Sequence, residues 1–225
     1  MRGVLFDLDG TLIDSSAGFC NAVNDVLSEL SLPPVDLTWV SHRLSGGARG
    51  LLADYFATTP DSEQVTQLRQ RFLEHYLAKH VTTSVQAYAG IEQVLAWLDQ
   101  RDIPWGIVTN KPEMLTTPTL EFLNWQARSH VTICPDHVQQ VKPDPEGIRL
   151  ACRALALTPE QIIYVGDHRK DVQAAHNAGS RAIACAWGFY PPSDAPELWQ
   201  ANWIARQPTD LIKIFAEQAH NATLA

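Results

Sequence analysis

Short apolar runs that alternate with helical segments constrain the fold of this chain more than any other feature. From about residue 85 onward, each run is separated from the next by a stretch with helical patterning. Short strands that alternate with helices predict a parallel sheet with helices on both faces. We therefore expect an α/β protein with a Rossmann-like, doubly wound parallel sheet, whose strands lie near residues 4–6, 103–110, 130–134, 162–167 and 181–187.

The first of these strands is far from the second. Roughly 95 residues separate the two, although a parallel crossover needs only about a dozen or somewhat more. Helical patterning dominates this interval to about residue 80, and the stretch 60–80 has the apolar spacing of an amphipathic helix. We therefore predict a small α-helical cap domain at 15–84, inserted into a core domain that comprises 1–14 and 85–225. Because open parallel sheets bind ligands at the carboxyl ends of their strands, an insertion at that edge would cover the site as a lid.

Composition and charge argue against some classes of binding partner for this protein. The net charge of −8 over 225 residues argues against a general nucleic-acid binder, which would normally show a basic face. The sequence contains no run of about 18 apolar residues, the length that would span a membrane. Its start lacks the pattern of a signal peptide. The four cysteines lie far apart without zinc spacing, so we expect buried, reduced thiols. These features favour a cytoplasmic protein. We separately expect it to act on a small molecule, as a monomer or a homodimer.

Polar residues stand where three of the predicted strands end, and a lysine stands in one loop. Parallel strands bring their carboxyl ends to one edge of a sheet, so residues distant in sequence can meet there. Carboxylates, a hydroxyl, backbone amides and a lysine together suit a divalent cation and a phosphoryl group. The candidates are Asp7 and Asp9 after the first strand, Thr109 and Asn110 after the second, Asp167 and Asp171 after a later one, and Lys142 in the loop QQVKPDPEG.

The chain resembles the haloacid dehalogenase superfamily in four stretches, DLDGTLID, VTNKP, VKPDP and VGDHRKD, which occur in the family's order. The resemblance extends over essentially the whole chain and is to the phosphatases that use an aspartate nucleophile. It implies that Asp7 attacks phosphorus and forms an aspartyl-phosphate. Asp9 would protonate the leaving alcohol and later take a proton from the water that hydrolyses this intermediate.

The same resemblance implies a Mg²⁺ ion and a set of groups around the phosphate. The Asp7 carboxylate, the Asp9 carbonyl and Asp167 would bind the ion, which bridges negative groups that otherwise repel each other. Asp171 would act through water or orient Lys142. The phosphoryl oxygens would be bound by three residues, namely Thr109, the Asn110 amide and Lys142.

The predicted cap carries a candidate for substrate selection in the stretch SHRLSGGARGLL. The amides of Ser45, Gly46 and Gly47 could form an anion site at a helix start. Arg49 could pair with a substrate carboxylate through two hydrogen bonds. An exposed arginine beside a Gly-Gly turn would explain the same stretch equally well.

A narrower resemblance concerns the substrate. LPPVD, SGGARGLL, WGIVTNKP and CPDHVQQVKPDPE are similar to a family of bacterial phosphatases that act on N-acetylmuramic acid 6-phosphate, themselves close relatives of phosphoglycolate phosphatases. Both substrates carry a carboxylate besides the phosphate. The resemblance favours the muramic acid phosphate, and with it salvage of peptidoglycan sugar in a Gram-negative cell. The main alternative is 2-phosphoglycolate.

Two other functions stay open. Sugar phosphomutases share both acids and the helical cap. Phospho-accepting receiver modules also place Asp, Lys and Thr around Mg²⁺, but they are about half this length and lack the DxDGT arrangement.

His168 departs from the family pattern, in which a small or acidic residue is frequent, and we assign it no catalytic role.

Overall fold

The computed structural model describes residues 1–223 and contains a parallel sheet that confirms the predicted α/β class. The strands are β1 (Gly3–Phe6), β2 (Ile13–Asp14), β3 (Gln86–Ala87), β4 (Trp105–Val108), β5 (Thr132–Ile133), β6 (Ile162–Gly166), β7 (Arg181–Cys185) and β8 (Trp203–Ala205). Six of them form one sheet in the order β5-β4-β1-β6-β7-β8, with every neighbouring pair parallel. β1 lies between β4 and β6, where Leu5 stands opposite Gly106 and Tyr164.

The helices are α1 (Ser16–Glu29), α2 (Leu37–Ser41), α3 (Gly47–Tyr55), α4 (Glu63–His75), α5 (Ile91–Asp99), α6 (Glu113–Phe122), α7 (Glu146–Ala154), α8 (Arg169–Ala178) and α9 (Asp210–Thr223). Those that follow β3 cover both faces of the sheet. Successive side chains of a strand point to opposite faces. Val4 and Phe6 accordingly belong to the apolar cluster that includes α5 and α9, whereas Leu5 belongs to the cluster of α7 and α8. The sheet is therefore doubly wound, as predicted.

The residues between β2 and β3 are largely helical and pack around an apolar cluster to which α1, α3 and α4 contribute. Leu115 of α6 and Phe189, which follows β7, belong to the same cluster. These two side chains join the helical segment to the part of the chain that forms the sheet. The division into a cap domain at 15–84 and a core domain stays a prediction.

The amphipathic helix predicted at 60–80 is α4, followed by a π-helical turn at Tyr76–His80. It begins at Glu63 because the hydroxyl of Ser62 accepts a hydrogen bond from the Val65 N–H at 3.3 Å, which satisfies one of the first free amides. The buried stripe of α4 faces the apolar cluster of the helical segment.

β2 and β3 form a two-stranded antiparallel pair that is not among the predicted elements. Ile13 lies opposite Ala87, and Asp14 lies opposite Gln86. Strands of two residues show too little periodicity for a sequence to indicate them. The pair holds together the two places where the chain leaves for the helical segment and returns from it.

Two further observations bear on the class of protein. Within residues 1–223, no helix combines the length and the apolar character needed to cross a membrane. The four cysteines are buried free thiols, as predicted.

Candidate active site

A cavity of about 460 Å³ opens where the strands of the sheet end. Its lining includes five predicted site residues that follow β1, β4 and β6, together with Arg49 of α3 and further residues, among them members of α4. The five are Asp7, Asp9, Thr109, Asn110 and Asp167. The structure thus brings together groups that lie up to 160 positions apart in the sequence.

The carboxylate of Asp7 carries both of its donors on one oxygen. The Leu8 N–H donates to Oδ1 at 2.8 Å, and Lys142 Nζ lies 2.8 Å from the same atom. Burial alone would raise the pKa of Asp7, but the Lys142 ammonium outweighs burial and holds that pKa below its ordinary value. No described residue donates a hydrogen bond to Oδ2. Asp7 is therefore an ionised carboxylate with one unengaged oxygen.

Lys142 is buried and forms an ion pair with a second aspartate. Its Nζ lies 2.7 Å from Asp171 Oδ1 and donates to the Tyr164 hydroxyl at 2.8 Å. Burial would lower the pKa of Lys142, but the carboxylates of Asp171 and Asp7 raise it well above its ordinary value. The three partners match the three N–H groups of an ammonium. The structure therefore directs Lys142 at Asp7, and its expected action on phosphoryl oxygens stays a prediction.

Asp7, Asp167 and Asp171 form a buried cluster in which one oxygen of each lies within 4.8 Å of the others. One ammonium among three ionised carboxylates would leave two negative charges uncompensated. Burial raises the pKa of Asp167 well above its ordinary value, and repulsion from Asp7 and Asp171 adds to that effect. Hard oxygen ligands carrying this charge suit a divalent cation. The residues present therefore fit Mg²⁺, although the part expected of the Asp9 carbonyl stays a prediction.

Asp167 is fixed by two donors and fits into space left by two glycines. Thr11 Oγ1 donates to its Oδ1 at 2.9 Å, and the Phe189 N–H donates to its Oδ2 at 2.8 Å. A Cβ on Gly10 would lie 2.1 Å from Asp167 Oδ2, and one on Gly188 would lie 2.2 Å from the Cβ of Asp167. Gly10 also has a φ of +85°, which residues with a side chain rarely adopt. No other residue would fit at position 10 without displacing this carboxylate.

Asp9 has a lysine of its own. Lys111 Nζ donates to Asp9 Oδ1 at 2.8 Å, and the Lys111 side chain is only 2% exposed. The same Nζ donates to the Tyr76 hydroxyl at 3.4 Å and lies 5.5 Å from the centre of the Phe19 ring. Burial would lower the pKa of Lys111, but the Asp9 carboxylate raises it. Lys111 thus connects the candidate acid–base residue to two aromatic side chains of the helical segment.

Thr109 and Asn110 border the cavity and organise the backbone beside it. Thr109 Oγ1 accepts a hydrogen bond from the Lys111 N–H at 3.1 Å. The Asn110 side chain donates to the Lys142 carbonyl and accepts from the Lys142 N–H, each at 3.1 Å. This pair of bonds fixes the loop that carries Lys142. The predicted contacts of both residues with a phosphoryl group stay predictions.

Arg49 also lines the cavity, but its guanidinium interacts with its own helical segment. Its Nη1 donates to the Pro60 carbonyl at 3.2 Å and lies 3.8 Å from Asp61 Oδ1. The Asp61 side chain is 98% exposed. An ion pair with so exposed a carboxylate is weak. The structure therefore places Arg49 near the site and leaves its substrate contact a prediction.

Of the three amides expected to form an anion site, those of Gly46 and Gly47 are already engaged within the chain, and the part expected of Ser45 stays a prediction. The Gly46 N–H donates to the Arg43 carbonyl, and the Gly47 N–H donates to the Leu44 carbonyl. Both bonds belong to a 3₁₀ turn at Leu44–Gly46, which precedes α3 and uses the amides that a simple helix start would leave free.

His168 caps α8. Its Nδ1 accepts a hydrogen bond from the Lys170 N–H at 3.2 Å, and its own N–H donates to Asp171 Oδ2 at 3.0 Å. This reciprocal arrangement is a capping box. Burial, assisted by the charge of Lys170, lowers the pKa of His168 to about 4. A neutral ring is required, since a protonated Nδ1 could not accept the hydrogen bond.

Several residues at the site have no predicted role, among them Lys111, Tyr164 and Arg69. Lys111 could have been noticed because it stands two positions after Thr109 in VTNKP. Tyr164 lies in a buried strand, where a hydroxyl needs partners, and it donates to the Val108 carbonyl at 2.6 Å. Arg69 lies within the predicted helix 60–80 and carries no local signal.

Comparisons with known proteins extend over the whole site. A family model described as haloacid dehalogenase-like hydrolase matches residues 4–185. The chain is 38% identical over 214 residues to an N-acetylmuramic acid 6-phosphate phosphatase of Pseudomonas aeruginosa, a match that covers 95% of this chain and 94% of that protein. It is 40% identical over 210 residues to a phosphoglycolate phosphatase of Xanthomonas campestris pv. campestris, covering 93% and 94%. A haloacid dehalogenase-like family hydrolase of Streptococcus pneumoniae superposes with a TM-score of 0.83 at 25% identity, covering 96% of this chain and 98% of that one.

We expect Gly10→Ala to lower the free energy of unfolding by about 2–4 kcal/mol, because the methyl group combines a strained φ with a clash against Asp167. Urea unfolding followed by tryptophan fluorescence measures this. Gly50→Ala is the matched control: it lies in α3 with no atom near the added carbon, and it should leave stability unchanged or raise it by about 1 kcal/mol. Equal effects of the two substitutions would contradict this account of Gly10.

We expect the cap made by His168 to weaken in acid. A folded-state pKa of about 4, below the ordinary 6.5, means that the unfolded chain binds the proton more readily between these values. Stability should therefore fall as the pH drops through this window. Asn caps helices without titrating, so His168→Asn should remove about 1–2 kcal/mol of the loss between pH 7 and pH 4.5. Parallel pH profiles of the two proteins would show that the capping explanation is mistaken.

Proposed function

Because the chain belongs to the haloacid dehalogenase-like hydrolase family, we propose that it is a Mg²⁺-dependent phosphatase that hydrolyses phosphate monoesters through an aspartyl-phosphate on Asp7. The observation that carries this proposal is the state of Asp7. Its carboxylate lines the cavity, is kept ionised by Lys142 and has an unengaged Oδ2. A nucleophile needs these properties together.

In the first step, Asp7 Oδ2 forms a bond to phosphorus while the bond from phosphorus to the ester oxygen breaks. Lys142 holds Oδ1 and so orients the attacking carboxylate. Asp9 lines the same cavity and would donate a proton to the departing oxygen, which leaves as an alcohol. Thr109 and Asn110 line the same cavity and would bind phosphoryl oxygens.

In the second step, water attacks the phosphorus and the bond to Asp7 breaks. Asp9, now a carboxylate, takes a proton from that water and returns to its starting state. Lys111 donates to Asp9 Oδ1 and orients it for both proton transfers. Inorganic phosphate leaves, and Asp7 is again free.

The metal would be held by the Asp7 carboxylate, the Asp9 carbonyl and Asp167, with Asp171 oriented towards Lys142. When bound, Mg²⁺ supplies the positive charge that offsets repulsion between the carboxylate nucleophile and a phosphate dianion. Thr11 and the Phe189 amide keep Asp167 in position for this role.

We propose N-acetylmuramic acid 6-phosphate as the substrate. The similarity to the Pseudomonas aeruginosa phosphatase over almost the whole chain supports this assignment. So does the cavity of about 460 Å³, which lies in the range that encloses ligands of this size. Arg49 would contribute positive charge near the carboxylate of the sugar. The activity would return peptidoglycan sugar to metabolism in the cytoplasm.

A second candidate substrate is 2-phosphoglycolate. The Xanthomonas campestris relative that bears this substrate in its name is 40% identical over a similar share of the chain. This molecule also carries a carboxylate and a phosphate. It is less than half the size of the sugar phosphate, so it would leave most of the cavity to water.

We expect Asp7→Asn to lower kcat by about 10³-fold or more, because an amide is a poor nucleophile. Mg²⁺-dependent release of phosphate from p-nitrophenyl phosphate measures this. Asp102→Asn is the matched control, since Asp102 is exposed with a φ of +51°, a conformation that Asn tolerates. Turnover by the Asp7 variant at a normal rate, or by the wild type after thorough chelation, would refute the mechanism. A receiver module would release no more than one phosphate per chain.

We expect kcat/KM for N-acetylmuramic acid 6-phosphate to exceed that for 2-phosphoglycolate by about tenfold or more, because the larger substrate makes more contacts with the cavity wall. A phosphate-release assay with both substrates under the same Mg²⁺ concentration measures the ratio. A ratio that favours 2-phosphoglycolate would leave the phosphatase mechanism intact and replace the substrate.

A further inference from the structure

Arg69 stands in the cavity wall without an anionic partner. It projects from α4, is half-buried and belongs to the cavity lining. Neighbouring arginines of the helical segment are paired: Arg43 lies 3.5 Å from Asp54, and Arg71 lies 3.4 Å from Glu29. Among the described residues, no hydrogen bond, ion pair or aromatic ring engages the guanidinium of Arg69. A guanidinium in a cavity wall that no protein group neutralises is available to bind an anionic ligand.

A second positive charge faces the same space. Arg49 lines the cavity from α3. Burial, together with repulsion from Arg49, lowers the pKa of Arg69. Arg49 already donates a hydrogen bond to the Pro60 carbonyl at 3.2 Å, whereas the side-chain N–H groups of Arg69 donate to no described residue. An anion held by Arg69 would relieve the repulsion between the two guanidinium groups.

The carboxylates lie on the floor of the cavity, where Asp7, Asp9 and Asp167 line it together with Lys111 and Lys170. In the proposed function, that floor would receive the phosphoryl group. The wall formed by α3 and α4 therefore receives the part of the substrate remote from phosphorus. A planar guanidinium matches the two oxygens of a carboxylate through parallel hydrogen bonds.

We propose, on the basis of the proposed phosphatase function, that Arg69 is a specificity-determining residue that binds a carboxylate of the substrate through paired hydrogen bonds. Its preferred substrates are phosphate monoesters with a carboxylate at the end remote from the phosphate. Arg49 strengthens the positive field around that carboxylate but stays bound to its own backbone partner.

The test uses two substrates that differ by the acidic group. N-acetylglucosamine 6-phosphate lacks the lactyl ether, and with it the carboxylate, of N-acetylmuramic acid 6-phosphate. Arg69→Gln should raise KM for the muramic acid phosphate about ten- to hundredfold, the usual effect of losing a charged hydrogen-bonding partner. Its kcat should change less than about twofold, and so should KM for the glucosamine phosphate. Arg69→Lys, which keeps the charge without the fork, should give an intermediate KM.

Arg71→Gln is the matched control. Arg71 lies two positions along α4, is exposed and does not belong to the cavity lining. It should leave KM for both sugars unchanged. The same variants assayed with 2-phosphoglycolate and with ethyl phosphate repeat the comparison for the smaller substrate.

The outcomes separate this inference from the proposed function. Equal losses by Arg69→Gln on acidic and neutral esters would mean that Arg69 binds the phosphoryl group, and no loss on either would mean that it binds nothing. Either result overturns the assignment while the wild type still hydrolyses p-nitrophenyl phosphate. If the wild type releases phosphate from no ester, both proposals fall.

Discussion

The buried ammonium of Lys142 is the interaction on which the rest of this site depends. It lies between the carboxylates of Asp7 and Asp171, which come from the end of β1 and the first turn of α8. Removing one partner from such a buried pair costs about 3–5 kcal/mol, because the remaining charge is left without compensation. Two neutral groups hold the lysine in place: Tyr164 accepts from its Nζ, and Asn110 clamps its backbone. The charge of Lys142 therefore links the end of β1, the first turn of α8 and the loop that carries the lysine.

Each of the two candidate acids at the cavity has a separate lysine, and the two pairs differ in their surroundings. The pair of Asp7 and Lys142 is enclosed by the sheet and α8. The pair of Asp9 and Lys111 lies against Tyr76 and Phe19 of the helical segment. A nucleophile benefits from fixed surroundings, whereas a group that exchanges protons with substrate and water needs access to both. The position of the helical segment can therefore influence Asp9 without disturbing Asp7.

The sequence predicts most of the sheet because its strands are apolar, short and separated by helices. It also predicts which residues gather at the sheet edge, since parallel strands that end together bring Asp7, Thr109 and Asp167 to one place. The pairs β2–β3 and Asp9–Lys111 escape prediction for a common reason. They depend on contacts between segments about 70 or 100 positions apart that leave no periodic pattern. Local chemistry also misleads at Gly46, whose amide is taken by a turn.

The antiparallel pair of β2 and β3 has a consequence for how such a protein can vary. It ties the departure and return of the helical segment side by side, with Ile13 opposite Ala87. The entropic cost of holding the two ends of a loop together grows only slowly with the length of the loop. Helices between these two strands can thus be lengthened, shortened or exchanged at little expense to the sheet. A protein of this architecture could therefore act on new substrates by exchanging the helical segment between β2 and β3, while the residues on the floor of the cavity stay the same.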